Sequence, residues 1–201
     1  MQQFIAQTLN GLTLAGIIFL VSSGFTLVFG VMRVTNLSHG AVYLLGGYVG
    51  YSVITVTHNF FYGLVAGALA MGLLGLLLER TLITWLGGRE MVSALGINVR
   101  LVFTLVFTLG AALAGFAGVL GGTVLGVYTG GDSDILLFAL AVVIIGGLGS
   151  FEGAIVGSLI IGLAETYGTA YFQAVAYSIV FIPVIVILLV KPEGLLGKVT
   201  R

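Results

Sequence analysis

Charged side chains are spaced so unevenly along this chain that three long stretches contain none. These charge-free runs are 45, 31 and 25 residues long, and they lie between Arg33 and Glu79, between Arg100 and Asp132, and between Glu165 and Lys191. A helix needs about 20 apolar residues to cross the hydrocarbon core of a bilayer. The first run can therefore hold two membrane-spanning helices, and each of the others can hold one.

The composition supports an integral membrane protein. Hydrophobic residues make up 59% of the chain, charged residues make up 7%, and the mean hydropathy is +1.24. A soluble fold needs a polar surface that so few polar residues cannot supply. The net charge is zero and no basic tract is present, so we expect membrane lipid and not nucleic acid as a partner. The N-terminal apolar stretch lacks a basic region and a cleavage signal, and it is predicted to be a retained first span.

The hydrophobic pattern predicts an all-α, polytopic helix bundle with about six to seven membrane segments, forming one transmembrane domain over residues 1–201. The segments are Phe4–Val31, Ala41–Thr57, Phe60–Thr81, Leu101–Gly122, Ile135–Gly147, Ala154–Tyr167 and Phe172–Val190. The fifth covers only about 20 Å of a core that is about 30 Å thick, which favours a half-helix. The sequence leaves open whether the fifth and sixth segments both cross fully or form a re-entrant pair.

Glycine is abundant and favours close packing of the helices. The chain has 32 glycines, and several fall in pairs of small residues spaced four apart, such as Gly46 with Gly50 and Gly153 with Gly157. Such pairs let helix backbones approach closely in lipid. The run "GGLGSFEG" at 146–153 follows the short fifth segment, and it is predicted to be a break packed inside the bundle.

The positions of the basic residues predict the orientation. Arg80, Arg89 and Arg100 lie in or beside one short loop, and further basic residues crowd the C-terminus. Loops rich in Lys and Arg remain in the cytoplasm. We therefore expect the N-terminus outside, the C-terminus inside, and an external loop at 123–134, which carries two aspartates and no basic residue.

Polar residues next to or within the apolar segments are candidates for a solute pathway. Asn36, Ser38 and His39 interrupt the first long apolar region, and Glu165 lies in the sixth segment. Polar and ionisable groups at such places often face a cavity or a partner. The alternatives are an N-cap for the second helix from Asn36 or Ser38, and an interfacial position for Glu165.

No residue pattern supports enzyme chemistry, a cofactor or a metal. Cysteine is absent, which excludes disulfides and thiolate ligands. Neither histidine has a partner at metal-binding spacing. The region around Lys198 lacks the glycine and hydroxyl residue of a P-loop, and "GGLGSFEG" has Glu152 where a dinucleotide-binding motif needs glycine. The sequence therefore predicts no catalytic residue, no cofactor site and no metal site.

Four stretches of the chain resemble the permease subunits of branched-chain amino acid ABC importers. They are "NGLTLAGIIFLVSSGFTLVFGVMRVTNLSHGAVYLLGGYVGY" (10–51), "LGINVRLVFTLVFTLGAALAGFAGVLGG" (95–122), "VVIIGGLGSFEGAIVGSLIIGLAE" (142–165) and "LLVKPEGLLG" (188–197). The resemblance implies a bacterial inner-membrane permease subunit without catalytic activity. It also implies a branched-chain amino acid or a similar small polar solute such as urea. The implied partners are a second permease subunit, cytoplasmic ATPase subunits and an external solute-binding protein.

The chain is shorter than members of that family usually are. "LLLERTLITWLGGRE" (76–90) passes within a few residues into "LGIN", so an internal segment with an even number of crossings is expected to be missing. By the resemblance, the remaining loop is the ATPase-coupling surface, with Arg89, Glu90, Gly96 and Asn98 as candidate residues. An alternative is a solvated loop whose arginines set the orientation. The alternative function is a structural or inactive membrane protein left by the deletion.

Overall fold

The computed structural model describes residues 1–83, 99–173 and 176–197. Within those residues the protein consists of α-helices and one π-helical turn at Glu79–Ile83, without a strand. The helices are α1 Gln2–Met32, α2 His39–Thr57, α3 Phe60–Leu78, α4 Val99–Val124, α5 Gly131–Gly146, α6 Phe151–Tyr171, α7 Ala176–Ile179 and α8 Phe181–Val190. The all-α polytopic bundle predicted from the sequence is confirmed.

Five of the described helices are long and apolar enough to cross a membrane. They are α1, α2, α3 with the first residues of the π turn, α4 and α6. The sixth predicted segment begins earlier than expected because Ser150 caps α6, its side chain accepting a hydrogen bond from the Gly153 N–H at 3.0 Å. With 21 residues, α6 is long enough for a complete crossing.

The fifth segment is the short helix α5. It has 16 residues, which correspond to about 24 Å, and it is therefore shorter than a full crossing, as the sequence predicted. It begins at Gly131 and not at Ile135, so the preceding loop is 125–130 rather than 123–134. Asp132 and Asp134 lie in its first turn, where carboxylates interact favourably with the positive end of a helix.

The prediction of one continuous seventh helix over Phe172–Val190 is wrong. The described part of this segment contains two helices, α7 and α8, separated at Val180. Pro183 lies in the first turn of α8. Because proline has no N–H, it cannot donate to the carbonyl of Ile179 and favours the start of a helix over its interior.

Helices α1 and α4 cross at the centre of the bundle. A methyl group on Gly24 of α1 would lie 2.7 Å from the carbonyl oxygen of Gly110 on α4, so the two backbones touch. Met32, near the end of α1, packs with Phe107, near the start of α4. The two central helices are therefore antiparallel.

The first six helices form an inverted repeat. In α1–α3 and again in α4–α6, a long helix is followed by a six-residue connection, a shorter helix, a tight turn and a third helix. The pairing is reciprocal, because α3 packs along α4 and α6 packs along α1. Since α1 and α4 run in opposite directions, the two units have opposite orientations, as in many transporters.

Small residues allow the close helix contacts that their spacing predicts. A methyl group on Gly46 of α2 would lie 2.5 Å from the Cα of Gly115 on α4, and one on Gly118 would overlap the carbonyl oxygen of Tyr43. A larger side chain at Gly46, Gly115 or Gly118 would prevent these contacts. The close helix packing therefore depends on small residues at these positions.

Candidate functional site

Helix α2 begins inside the bundle and not at its end. The Nε2 atom of His39, the first residue of α2, lies 3.1 Å from the carbonyl oxygen of Val21. Val21 lies 11 residues before the end of α1, a distance of about 16 Å along the helix axis. The connection 33–38 therefore turns back into the bundle before α2 starts.

His39 is held by three groups of α1. It is buried, its ring lies edge-on to Phe25 at 5.8 Å between centroids, and it packs against Gly24. Because a carbonyl oxygen only accepts hydrogen bonds, Nε2 carries the proton that it donates to Val21. This arrangement fixes the start of α2 against the middle of α1.

Helix α5 also begins inside the bundle, beside the start of α2. A methyl group on Gly40 would overlap the carbonyl oxygen of Asp132, which lies in the first turn of α5. The N-terminal ends of α2 and α5, the second helix of each repeat, therefore meet near the centre. Helix N-termini carry free N–H groups and a partial positive charge.

Asn36 and Ser38 lie in the connection 33–38 and bond to each other. The Oδ1 atom of Asn36 accepts hydrogen bonds from the Ser38 N–H at 3.1 Å and from the Ser38 hydroxyl at 2.5 Å. Ser38 occupies the N-cap position of α2, but its side chain makes no capping hydrogen bond. The expected N-cap position is therefore occupied by Ser38, but the expected capping hydrogen bond from its side chain is absent. The structure places both residues next to His39 in the chain, with Ser38 exposed and Asn36 half-buried.

Glu165 lies apart from these three residues. It is half-buried on α6, and its Oε1 atom accepts a hydrogen bond from the Thr169 hydroxyl at 3.1 Å. Its Oε2 atom is buried without a hydrogen-bond partner in the described part of the chain. The carboxylate of Asp134 is close enough to interact with it electrostatically. Glu165 thus lies within electrostatic range of the start of α5.

The candidate coupling residues Arg89, Glu90, Gly96 and Asn98 lie outside the described residues. Next to that segment, the structure contains a buried acid that the sequence reasoning missed. Glu79 at the end of α3 is completely buried, and it accepts a hydrogen bond from the Thr104 hydroxyl of α4 at 2.7 Å. The sequence did contain a signal for this residue. Glu79 is a carboxylate at the edge of an apolar span, and burying a carboxylate there is costly unless it has a partner.

The bundle and its central site define a class of protein. Inverted repeats with helix ends inside the bundle occur in many membrane transporters, and a polytopic permease is what the comparisons with known proteins find. The family profile described as "Branched-chain amino acid transport system / permease component" matches residues 7–95 and 86–190. The chain belongs to this family, and it is a multi-pass inner-membrane protein.

Individual relatives cover nearly the whole chain. The high-affinity branched-chain amino acid transport system permease protein LivH of Escherichia coli K12 is 27% identical over 297 residues, covering 97% of this chain and 96% of LivH. LivH of Salmonella typhimurium gives the same values. The corresponding protein BraD of Pseudomonas aeruginosa is 24% identical over 299 residues, with 97% and 96% covered. No solved structure matches this chain.

The lengths of these matches indicate a missing internal segment. The match to LivH extends over 297 residues, whereas this chain has 201, so about one third of the matched length has no counterpart here. The two matches to the family profile overlap at residues 86–95, which is where the deletion is expected from the sequence. The resemblance noted from the sequence is confirmed.

Proposed function

We propose that this chain forms the membrane pathway of an ABC importer for branched-chain amino acids or a similar small polar solute. Energy for transport comes from separate cytoplasmic ATPase subunits. The further partners are a second permease subunit and an external solute-binding protein. The proposal rests on family membership and on the printed names of LivH and BraD.

The observation that carries the proposal is the meeting of α2 and α5 inside the bundle. Gly40 at the start of α2 contacts the Asp132 carbonyl at the start of α5, and the two helices belong to opposite repeats. In repeat-built transporters, solute sites lie at the repeat interface near helix N-termini. We assign Asn36, Ser38 and His39 to the pathway near this point, and Glu165 to its outer part.

The proposed orientation has the N-terminus outside and the C-terminus in the cytoplasm. In the described residues, the C-terminal ends of α1, α5 and α8 lie at one end of the bundle, where Gly149 contacts Gly30 and Gly194 contacts Gly147. Arg33 and Lys191 lie at this end, and the positive-inside rule assigns it to the cytoplasm.

We propose that the loop containing Arg89, Glu90, Gly96 and Asn98 contacts the ATPase. The test uses the chain reconstituted with its candidate ATPase, and it measures binding and substrate-stimulated ATP hydrolysis. Arg89→Glu and Asn98→Ala are expected to weaken both. A contact of about a dozen residues is smaller than the 20 to 30 residues per side of a standard interface, so single changes have a large effect.

Arg201→Glu is the control, because it reverses one charge on the same proposed side but outside the loop. It is expected to leave ATPase binding unchanged. If the ATPase binds and neither Arg89→Glu nor Asn98→Ala alters binding or hydrolysis, the coupling assignment is wrong.

The second candidate function is a structural or inactive membrane protein. It is favoured by the missing third of the relatives' length and by the direct packing of α3 on α4, which includes the hydrogen bond from Thr104 to Glu79. This candidate replaces the first if no ATPase binds the wild-type chain and no uptake of leucine is measured with the complete set of subunits.

A further inference from the structure

A cavity with a volume of about 650 Å³ lies at the proposed cytoplasmic end of the bundle. Its walls come from the end of α1, the end of α5, the start of α6 and the segment 191–197 that follows α8. Small-molecule sites have volumes of roughly 300–1,000 Å³. The cavity is therefore large enough for an amino acid together with water.

Backbone contacts fix the walls of this cavity. Leu195 and Leu196 donate backbone hydrogen bonds to the carbonyl oxygens of Ile145 and Gly146, at 2.7 and 3.1 Å. On the opposite wall, a methyl group added to Gly30 would lie 3.5 Å from the Cα of Gly149, so these two backbones are close. Because these contacts involve the backbone, they hold the framework of the cavity in place, and this framework carries the exposed side chains of Arg33, Glu152 and Glu193.

The charged residues of the cavity have mixed signs. Arg33 contributes a guanidinium, and Glu152 and Glu193 contribute carboxylates. In the part of the chain that the structure describes, none of the three forms an ion pair or a side-chain hydrogen bond. A zwitterion offers a carboxylate to the guanidinium and an ammonium group to the carboxylates.

The rest of the lining is largely apolar. Phe29, Ile144, Leu148 and Leu188 supply aromatic and aliphatic surface. Apolar walls with a few charged groups are typical of sites for small amphipathic ligands. With two carboxylates and one guanidinium, the cavity disfavours a phosphate or another anion. The described residues also contain no group of three His, Asp or Glu side chains able to hold a metal.

We propose that this cavity binds a zwitterionic amino acid with an aliphatic side chain, and that it is the last site the solute occupies before release. Arg33 binds the carboxylate, Glu152 and Glu193 bind the ammonium group, and the apolar wall contacts the side chain. The proposal rests on the proposed function, since it takes its substrate class from there.

The experiment measures protection of an introduced cysteine by a ligand, because the chain has no native cysteine. Leu148→Cys places a thiol in the cavity wall, and Val34→Cys places an exposed thiol next to Arg33 but outside the lining. The purified full chain in nanodiscs is labelled with a small maleimide, with and without leucine. At four times the half-protecting concentration, labelling of Leu148→Cys is expected to slow about fivefold, while Val34→Cys is unaffected.

Analogues and a second substitution test the assigned charges. Leucinol lacks the carboxylate and 4-methylpentanoate lacks the ammonium group, so neither is expected to protect at the leucine concentration used. Adding Arg33→Gln to Leu148→Cys is expected to raise the half-protecting concentration about tenfold or more. Arg100→Gln, which removes an exposed arginine outside the cavity lining, is the control and is expected to leave protection unchanged.

Three results would overturn the cavity assignment. They are an absence of protection by leucine, equal protection by leucinol, and unchanged protection after Arg33→Gln in a chain that elutes and melts like the parent. Leucine uptake by the complete transporter is measured separately. Uptake without protection rejects the cavity alone, whereas an absence of uptake in an assembled complex rejects the proposed function.

Discussion

At the scale of single residues, the most constrained positions lie where backbone meets backbone. Gly147 is buried with a φ of 97°, and a methyl group there would lie 2.5 Å from the Cα of Gly197. Only glycine adopts this conformation at low cost. The contact shows that the start of "GGLGSFEG" is packed, but the run lies at the end of the bundle and Leu148, Phe151 and Glu152 are exposed, so the predicted packed break holds only for its first glycines.

Gly147→Leu is therefore expected to destabilise the protein by at least about 2 kcal/mol, through backbone strain and overlap with the 191–197 segment. Thermal unfolding in detergent measures the effect. Gly16→Leu is the matched control, because Gly16 is on α1 with no atom within 4 Å of an added methyl group. Equal melting temperatures for the two variants would contradict the packed break.

At the scale of elements, the end of α5 depends on a segment that is distant in sequence. The last carbonyl groups of a helix need partners, and α5 finds two in the N–H groups of Leu195 and Leu196. The stretch "KPEGLLG", which begins 45 positions after the end of α5, thus caps that helix. Lys191 stabilises the same segment by donating to the Leu195 carbonyl oxygen at 2.7 Å.

Leu195→Pro is expected to lower stability by about 1–2 kcal/mol relative to Leu195→Ala. Both variants lose the leucine side chain, but only the proline variant loses the N–H that donates to Ile145. Comparing the melting temperatures of the two variants measures the loss of this hydrogen bond together with the backbone restraint that proline adds. A proline variant as stable as the alanine variant would show that the hydrogen bond contributes little.

At the scale of the whole molecule, the inverted repeat determines which loops share a side. The turn at 58–59 lies at one end of the bundle, and the end of α1 lies at the other, because α2 leads from the centre away from Met32. Although the chain is about one third shorter than its relatives, α1 and α4 still pair at the centre. The six helices α1–α6 therefore still pack as two units of opposite orientation.

The orientation proposed above predicts the labelling pattern of intact cells. Thr57 and Thr35 are both exposed, and they lie at opposite ends of the bundle. A cysteine introduced at Thr57 should react with a membrane-impermeant maleimide, whereas one at Thr35 should react only after permeabilisation. The reverse pattern would require the opposite orientation, with the cavity of Arg33 on the outside.

The sequence alone determined the class of the fold and the approximate spans. Charge-free apolar runs have few alternatives to membrane helices, since backbone groups in hydrocarbon need partners within the protein and a helix supplies them within one segment. The short fifth segment was also predicted, because its length is a local property. The break of the seventh segment at Val180 was missed, although Pro183 was visible in the sequence.

Only the tertiary structure decided where the polar residues lie. The sequence offered His39 only as a candidate pathway residue between two apolar runs, whereas in the structure the chain turns back after Met32 and His39 is buried against Val21 of α1. The cavity brings Arg33 together with Glu152 and Glu193, each more than 100 positions away in the sequence, and no spacing rule connects them. The physical reason is that helix ends and cavities are formed by contacts between distant segments, whereas hydropathy and helix length are read from neighbouring residues.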